Sequence, residues 1–147
     1  IYTTDASGLA ATRSTFPSPN DHMILPEIIS KEPLGPATRQ GDDQWADIIR
    51  WVYNATVTAE ELGVTSSNVD SMKSANNPEI LRLLGMEDSQ GKELGLSKDW
   101  AYQIIKQVGN YGEIFERNIG TNTPIGLARG LNDLWTRGGL QYSPPFR

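Results

Sequence analysis

Asp5 is the residue whose type and position best suit ligand binding. It follows Ile1–Thr4, a run of β-branched and aromatic residues typical of a β-strand, and it precedes a helix-forming stretch. Ligands dock at the carboxyl ends of strands in α/β proteins, where a carboxylate can form a charge-assisted hydrogen bond with an ammonium group. The same position suits a helix N-cap, because a carboxylate oxygen accepts a bond from an unpaired amide there. Residue types alone favour the cap and leave the ligand-binding role open.

The remaining polar residues do not form a reaction centre by spacing. His22 has no second ligand at metal-binding spacing, which favours a packed or surface histidine. The Gly109–Gly112 loop lacks the Lys-Ser/Thr pair of a phosphate-binding loop and is better explained as a helix stop. The adjacent carboxylates Glu60-Glu61 and Asp42-Asp43 do not share a helix face. We therefore predict no catalytic residue, no metal site and no cofactor.

The tryptophans admit two interpretations. Trp45, Trp51, Trp100 and Trp135 could line a ligand cleft. Trp45 and Trp100, however, fall at helical spacing among apolar residues, which favours a place in the core.

Composition narrows the classes of partner. The chain has 147 residues, enough for one domain-sized core, and a net charge of 13 − 18 = −5. An acidic chain has no basic field with which to bind nucleic acid, so we predict no nucleic-acid partner. The absence of cysteine excludes disulfides and thiolate chemistry, and no apolar run approaches the roughly 20 residues that span a bilayer.

Periodicity predicts a chain that is mostly helical, with few and short strands. The clearest signal places Trp45, Ile48, Val52 and Leu62 on one face of a helix that begins at Asp42 or Asp43. Other helices are predicted over 6–13, from 66 or 67 to 72, and over 78–84, 97–108, 111–119 and 131–135. A strand is predicted over 1–4, and short strands or extended segments are predicted over 23–25 and 28–29. The Pro- and Gly-rich stretch 31–36 is a candidate hinge.

Several strings of residues resemble a known family along almost the whole chain. These are Ile1-Tyr2-Thr3-Thr4-Asp5-Ala6-Ser7-Gly8-Leu9 and the stretches 24–36, 39–45, 110–118 and 138–145. They resemble the general L-amino-acid-binding periplasmic proteins of ABC transporters, within the family 3 solute-binding proteins. The resemblance covers only the C-terminal part of that family, less than half of a full protein. It implies that the signal peptide is not in this chain.

The resemblance implies a fold and a place for Asp5. The fold is α/β: a helix-rich C-terminal part of a two-lobed, type II periplasmic-binding-protein clamp that closes on its ligand. Residues 1–33 would be the end of the second lobe and the return hinge, and 34–147 would complete the first lobe with a helical extension and tail. Asp5 matches the family's aspartate that binds the ligand's α-ammonium group. The arginine that binds the α-carboxylate lies upstream in the family and has no counterpart here.

The resemblance also implies a function. The protein would be the substrate-binding component of an ABC transporter for polar or general L-amino acids, in the periplasm of a Gram-negative bacterium. Its partners would be an L-amino acid and the permease subunits, and the truncated chain could self-associate through apolar surface left uncovered. It would not be an enzyme. The alternatives are a dehydratase-type enzyme on the same clamp fold and a stand-alone helical interaction domain.

Overall fold

The chain folds mainly into α-helices. The structure, a computed structural model, describes residues 1–31, 33–87 and 91–146. In these residues the α-helices are Ala6–Ser14 (α1), Asp43–Glu61 (α2), Val69–Met72 (α3), Pro78–Leu83 (α4), Trp100–Val108 (α5) and Tyr111–Asn118 (α6). Short 3-10 helices span Pro19–Asp21, Gly130–Asn132 and Trp135–Arg137. Each predicted α-helix up to 119 is present, with ends that differ by at most three residues.

The strand predicted over 1–4 and the helix predicted over 131–135 are wrong. Residues 1–4 join no sheet, nor do 23–25 and 28–29, for which extended segments were the alternative to strands; the pairing seen in the described ranges is one isolated parallel bridge between Leu134 and Gln141. A strand needs a neighbouring strand to satisfy its backbone, whatever its β-propensity, and these segments have none beside them. The helix predicted over 131–135 is replaced by two 3-10 turns flanking Leu134, whose backbone is extended.

Helix α2 follows its capping and apolar signals. The Asp42 side chain accepts a hydrogen bond from the Trp45 amide at 3.2 Å, and the helix ends before Gly63, whose φ of 68° is costly for other residues. The predicted face, which also includes Thr56 and Ala59, is most completely buried in the second half of the helix, where both of these residues are buried. Trp45, in the first turn, is 50% exposed, so its predicted place in the core is wrong.

Backbone contacts divide the chain into two compact units. One, the first unit, comprises Ile1–Pro36 and Phe115–Arg129; the other, the helical unit, comprises Ala37–Ile114 and Gly130–Arg147. The predicted lobe boundary between residues 33 and 34 remains a prediction. The candidate hinge includes Glu32, which lies outside the described residues.

The helical unit contains a hydrophobic core of its own. In this unit α2 packs against α4 and α5, and α3 packs against α5. The buried core members come from all four helices, the connecting loops and the end of the chain: Ala55, Ala59, Val64, Val69, Ile80, Leu83, Leu84, Leu94, Trp100, Ala101, Ile105 and Phe146. Trp100 confirms the prediction of a core tryptophan.

The loop from α5 to α6 is a helix stop joined to a capping box. Gly109 has a φ of 82°, and a Cβ there would lie 2.7 Å from the Glu113 side chain. Asn110 and Glu113 cap α6 reciprocally, each side chain accepting a bond of 2.9 Å from the other's amide. The Glu113 carboxylate also accepts bonds from the Ser66 amide and hydroxyl. This loop therefore ends α5 and begins α6, as predicted.

Candidate ligand-binding site

Asp5 is the N-cap of α1. Its backbone is extended, with φ −60° and ψ 156°, and its Oδ2 accepts a hydrogen bond from the Gly8 amide at 2.8 Å. The Ser7 hydroxyl donates to the same oxygen, and the Thr4 hydroxyl donates to Oδ1 at 3.2 Å. The capping role predicted from the sequence is confirmed, and the ligand-binding role remains a prediction.

The hydrogen bonds to Asp5 favour its charged form. The Ser7 hydroxyl and then the Gly8 amide hold the pKa of Asp5 below its usual value of 3.8. The positive end of the α1 dipole acts in the same direction. Asp5 is therefore an anion at neutral pH, as a partner for an ammonium group must be.

Capping does not enclose the Asp5 carboxylate completely. The carboxylate accepts hydrogen bonds from the Thr4 and Ser7 hydroxyls and from the Gly8 amide, and its own backbone amide also favours its charged form. Asp5 is nevertheless only half-buried, so part of the residue stays exposed to solvent.

The supporting hydroxyls were missed by the sequence reasoning. Ser7 and Thr4 fix the orientation of the Asp5 carboxylate, yet neither was singled out. The sequence did contain a signal for Ser7, because the hydroxyl of a residue two positions after an N-cap aspartate can donate a hydrogen bond back to the carboxylate.

His22 lies on the surface of the first unit. Its Nδ1 is 3.0 Å from the Ser18 carbonyl oxygen, and its ring centroid is 4.5 Å from that of Phe16. The surface alternative of the prediction is confirmed. Among the described residues, no group of three or more His, Asp or Glu side chains is arranged to hold a metal ion. No helix in the described ranges is both long and apolar enough to cross a membrane.

Trp51 and Trp135 have different partners in the helical unit, and their place in a ligand cleft remains a prediction. Trp51 is half-buried against the core, with its ring 5.2 Å from that of Phe146. Trp135 is 61% exposed, and its indole N–H donates to Glu61 at 3.0 Å.

Comparison with known proteins identifies the relatives of the chain. It is 60% identical to the general L-amino acid-binding periplasmic protein AapJ of Rhizobium johnstonii, over 100% of the chain and 44% of that protein. The chain is homologous to the periplasmic amino-acid-binding proteins of ABC transporters. A second relative, the glutamate/glutamine/aspartate/asparagine-binding protein BztA of Rhodobacter capsulatus, is also 60% identical, over 99% of the chain and 44% of its own length. No protein-family model matches the chain.

The structural comparison agrees with the relatives. An ABC transporter periplasmic binding protein from Brucella ovis, solved with glutathione bound, superposes with a TM-score of 0.95 at 59% identity. The match covers 99% of this chain and 46% of that one. The predicted fold class, a helix-rich C-terminal part of a periplasmic-binding-protein clamp, is confirmed. The chain spans less than half the length of the relatives that it matches.

Proposed function

We propose that this chain forms part of the substrate-binding component of an ABC transporter for amino acids. The observation that carries the proposal is the 60% identity, along the entire chain, to a protein named for general L-amino acid binding. Because the chain spans 44% of that relative, ligand capture is proposed for the whole protein that contains these residues. The same proposal places that protein in the periplasm, where it would deliver its ligand to a membrane permease.

The ligands named for the relatives share one chemical group. They are glutamate, glutamine, aspartate and asparagine in one name, and glutathione in the solved structure. Each carries a free α-ammonium and a free α-carboxylate, since the γ-glutamyl residue of glutathione keeps both. We propose that the whole protein recognises this amino-acid head group and tolerates different side chains.

Asp5 is the residue of this chain that we propose for the ammonium group. Three features support the role: its charge at neutral pH, its fixed orientation between the Ser7 hydroxyl and the Gly8 amide, and its incomplete burial. The α-carboxylate would be bound by residues outside this chain. Binding and release through such contacts involve no covalent chemistry, so we propose a receptor and not an enzyme.

Calorimetric titration of the full-length protein tests this function. L-Glutamate, L-glutamine, L-aspartate and glutathione are compared with N-acetyl-L-glutamate, which keeps the side chain and α-carboxylate but has no ammonium group. We expect binding of the free amino acids and loss of binding for the acetylated compound. Equal affinity for both glutamates would contradict head-group recognition. Conversion of a cyclic acid without binding of any amino acid would favour the dehydratase.

A further inference from the structure

Ser7 makes a hydrogen bond that the N-cap of α1 does not itself require. The cap consists of two bonds to Asp5: the Gly8 amide donates to Oδ2 at 2.8 Å, and the Leu9 amide donates to the Asp5 carbonyl at 2.9 Å. The Ser7 hydroxyl donates to the same Oδ2 in addition. Because this hydroxyl bonds the carboxylate and not a backbone group of the helix, its contact acts on the Asp5 side chain.

The other hydroxyl at the carboxylate holds it less closely. Thr4 is exposed, and its hydroxyl donates to Oδ1 at 3.2 Å, whereas Ser7 is half-buried. Among the described residues, the neighbours shown in contact with the carboxylate are Thr4, Ser7 and Gly8, and none of them carries a charge. The Ser7 hydroxyl is therefore the main side-chain group that fixes the direction of this carboxylate.

We propose that Ser7 is a positioning residue for ligand binding, which holds the Asp5 carboxylate in the direction from which it binds the ammonium group of an amino acid. This inference rests on the proposed function, because Ser7 acts only through Asp5. A carboxylate that is already oriented loses less conformational entropy when the ligand arrives. The donated hydrogen bond also favours the charged form of the carboxylate, which lowers its pKa and keeps it an anion to more acid pH.

The pair of variants Ser7→Thr and Ser7→Val tests the hydroxyl, because their side chains have nearly the same shape and differ in one polar group. Titration calorimetry on the full-length protein uses L-glutamine, whose side chain carries no charge. At pH 7, Ser7→Thr should bind within about twofold of the parent, and Ser7→Val should bind about three- to tenfold more weakly. The matched control is Ser14→Ala, which removes a hydroxyl that donates to the Ala11 carbonyl at 2.7 Å near the other end of α1; its affinity should equal that of the parent.

The pH dependence of binding separates positioning from a purely structural role. The same titrations are repeated towards acid pH, with a thermal melt at each pH to show that every variant is folded. The pH at which half of the affinity is lost should be higher for Ser7→Val than for Ser7→Thr, because the carboxylate then lacks the donor that favours its charge. A hydroxyl that only stabilised α1 would change the melting midpoint and leave this pH where it is.

The outcomes distinguish this inference from the function on which it rests. Equal affinities and equal pH profiles of Ser7→Thr and Ser7→Val, together with weak binding by Asp5→Asn, would overturn the role of Ser7 and leave the proposed function intact. Binding of L-glutamine by Asp5→Asn as tight as by the parent would remove the ligand-binding role of Asp5, and that of Ser7 with it. If Ser7→Val does not fold, Ser7→Ala takes its place in both comparisons, since it also lacks the hydroxyl.

Discussion

The substitution Asp5→Asn separates the capping role of this residue from its proposed ligand-binding role. Asparagine is also a good N-cap, and its side-chain oxygen can occupy the position of Oδ2, where it still accepts from the Gly8 amide and the Ser7 hydroxyl. The side-chain amide would then replace Oδ1, which accepts from the Thr4 hydroxyl at 3.2 Å. Asp5→Asn therefore keeps the cap and removes the charge, whereas Asp5→Ala removes both.

The expected effects follow from these contacts. If Asp5 pairs with an ammonium group in a closed cleft, loss of its charge leaves that group desolvated and unpaired, which weakens binding on the order of tens-fold to thousands-fold. The midpoint of thermal unfolding should stay near that of the parent for Asp5→Asn and fall for Asp5→Ala. Ser7→Ala is the matched control, because it removes one donor that orients the carboxylate but keeps the charge; its affinity should fall by much less than that of Asp5→Asn.

Titration calorimetry with L-glutamate and thermal melts, both on the full-length protein, measure the two quantities separately. Unchanged affinity in Asp5→Asn, with a stable fold, would show that Asp5 is a cap and nothing more. Equal losses of affinity in Asp5→Asn and Ser7→Ala would show that geometry and not charge is decisive. Because the pKa of Asp5 lies below 3.8 in the folded protein, its charge should be constant from about pH 5 to pH 8 and be lost as the pH falls through that lowered value.

The remaining predictions concern stability and association. Ile105 is fully buried, so Ile105→Ala should cost about 2–5 kcal/mol in denaturant melts, whereas Ile28→Ala, at a side chain 76% exposed, should cost less than about 0.5 kcal/mol. Burial raises the pKa of Glu61, so the folded protein holds the proton on this carboxyl more tightly than the unfolded chain does. The stability gained from this difference is present at acid pH and is lost as the pH rises through the raised pKa. Thermal melts of Glu61→Gln at several pH values should lack this pH-dependent component. The first unit exposes large apolar side chains such as Ile1 and Met23, so we expect the 147-residue chain to self-associate in sedimentation at rising concentration, and a monomer throughout would contradict this.

Sequence signals predicted the helices well where the signal was local. The start of α2 is set by the Asp42 side chain, and its end by Gly63, whose positive φ suits glycine. The spacing of apolar residues also identified the buried face of α2, but it could not show that the core begins after the first turn and leaves Trp45 exposed. How deeply a side chain is buried depends on which other helices reach it, and that information lies in distant residues such as Phe146.

The site was predictable to a smaller extent. Asp5 could be identified because a carboxylate directly before a helix-forming run is a typical N-cap, and the structure shows that cap. The predicted strand before it is absent, since Ile1–Thr4 has β-propensity but no neighbouring strand in the described residues. Residues on other segments that would complete a ligand site cannot be deduced from the types and spacing within this stretch.

The capping role of Asp5 and its proposed ligand-binding role support each other physically. The Ser7 and Gly8 donors that make the carboxylate a cap are the same groups that keep it charged and fix its direction. A side chain already held in one conformation loses less entropy when it binds a ligand than a free one would. The helix dipole at the N-terminus of α1 adds a second reason for the charge to persist when water is excluded. In the proposed role, a carboxylate built into a helix cap would thus be prepared to bind an ammonium group, and a lowered pKa is the property that a titration would measure.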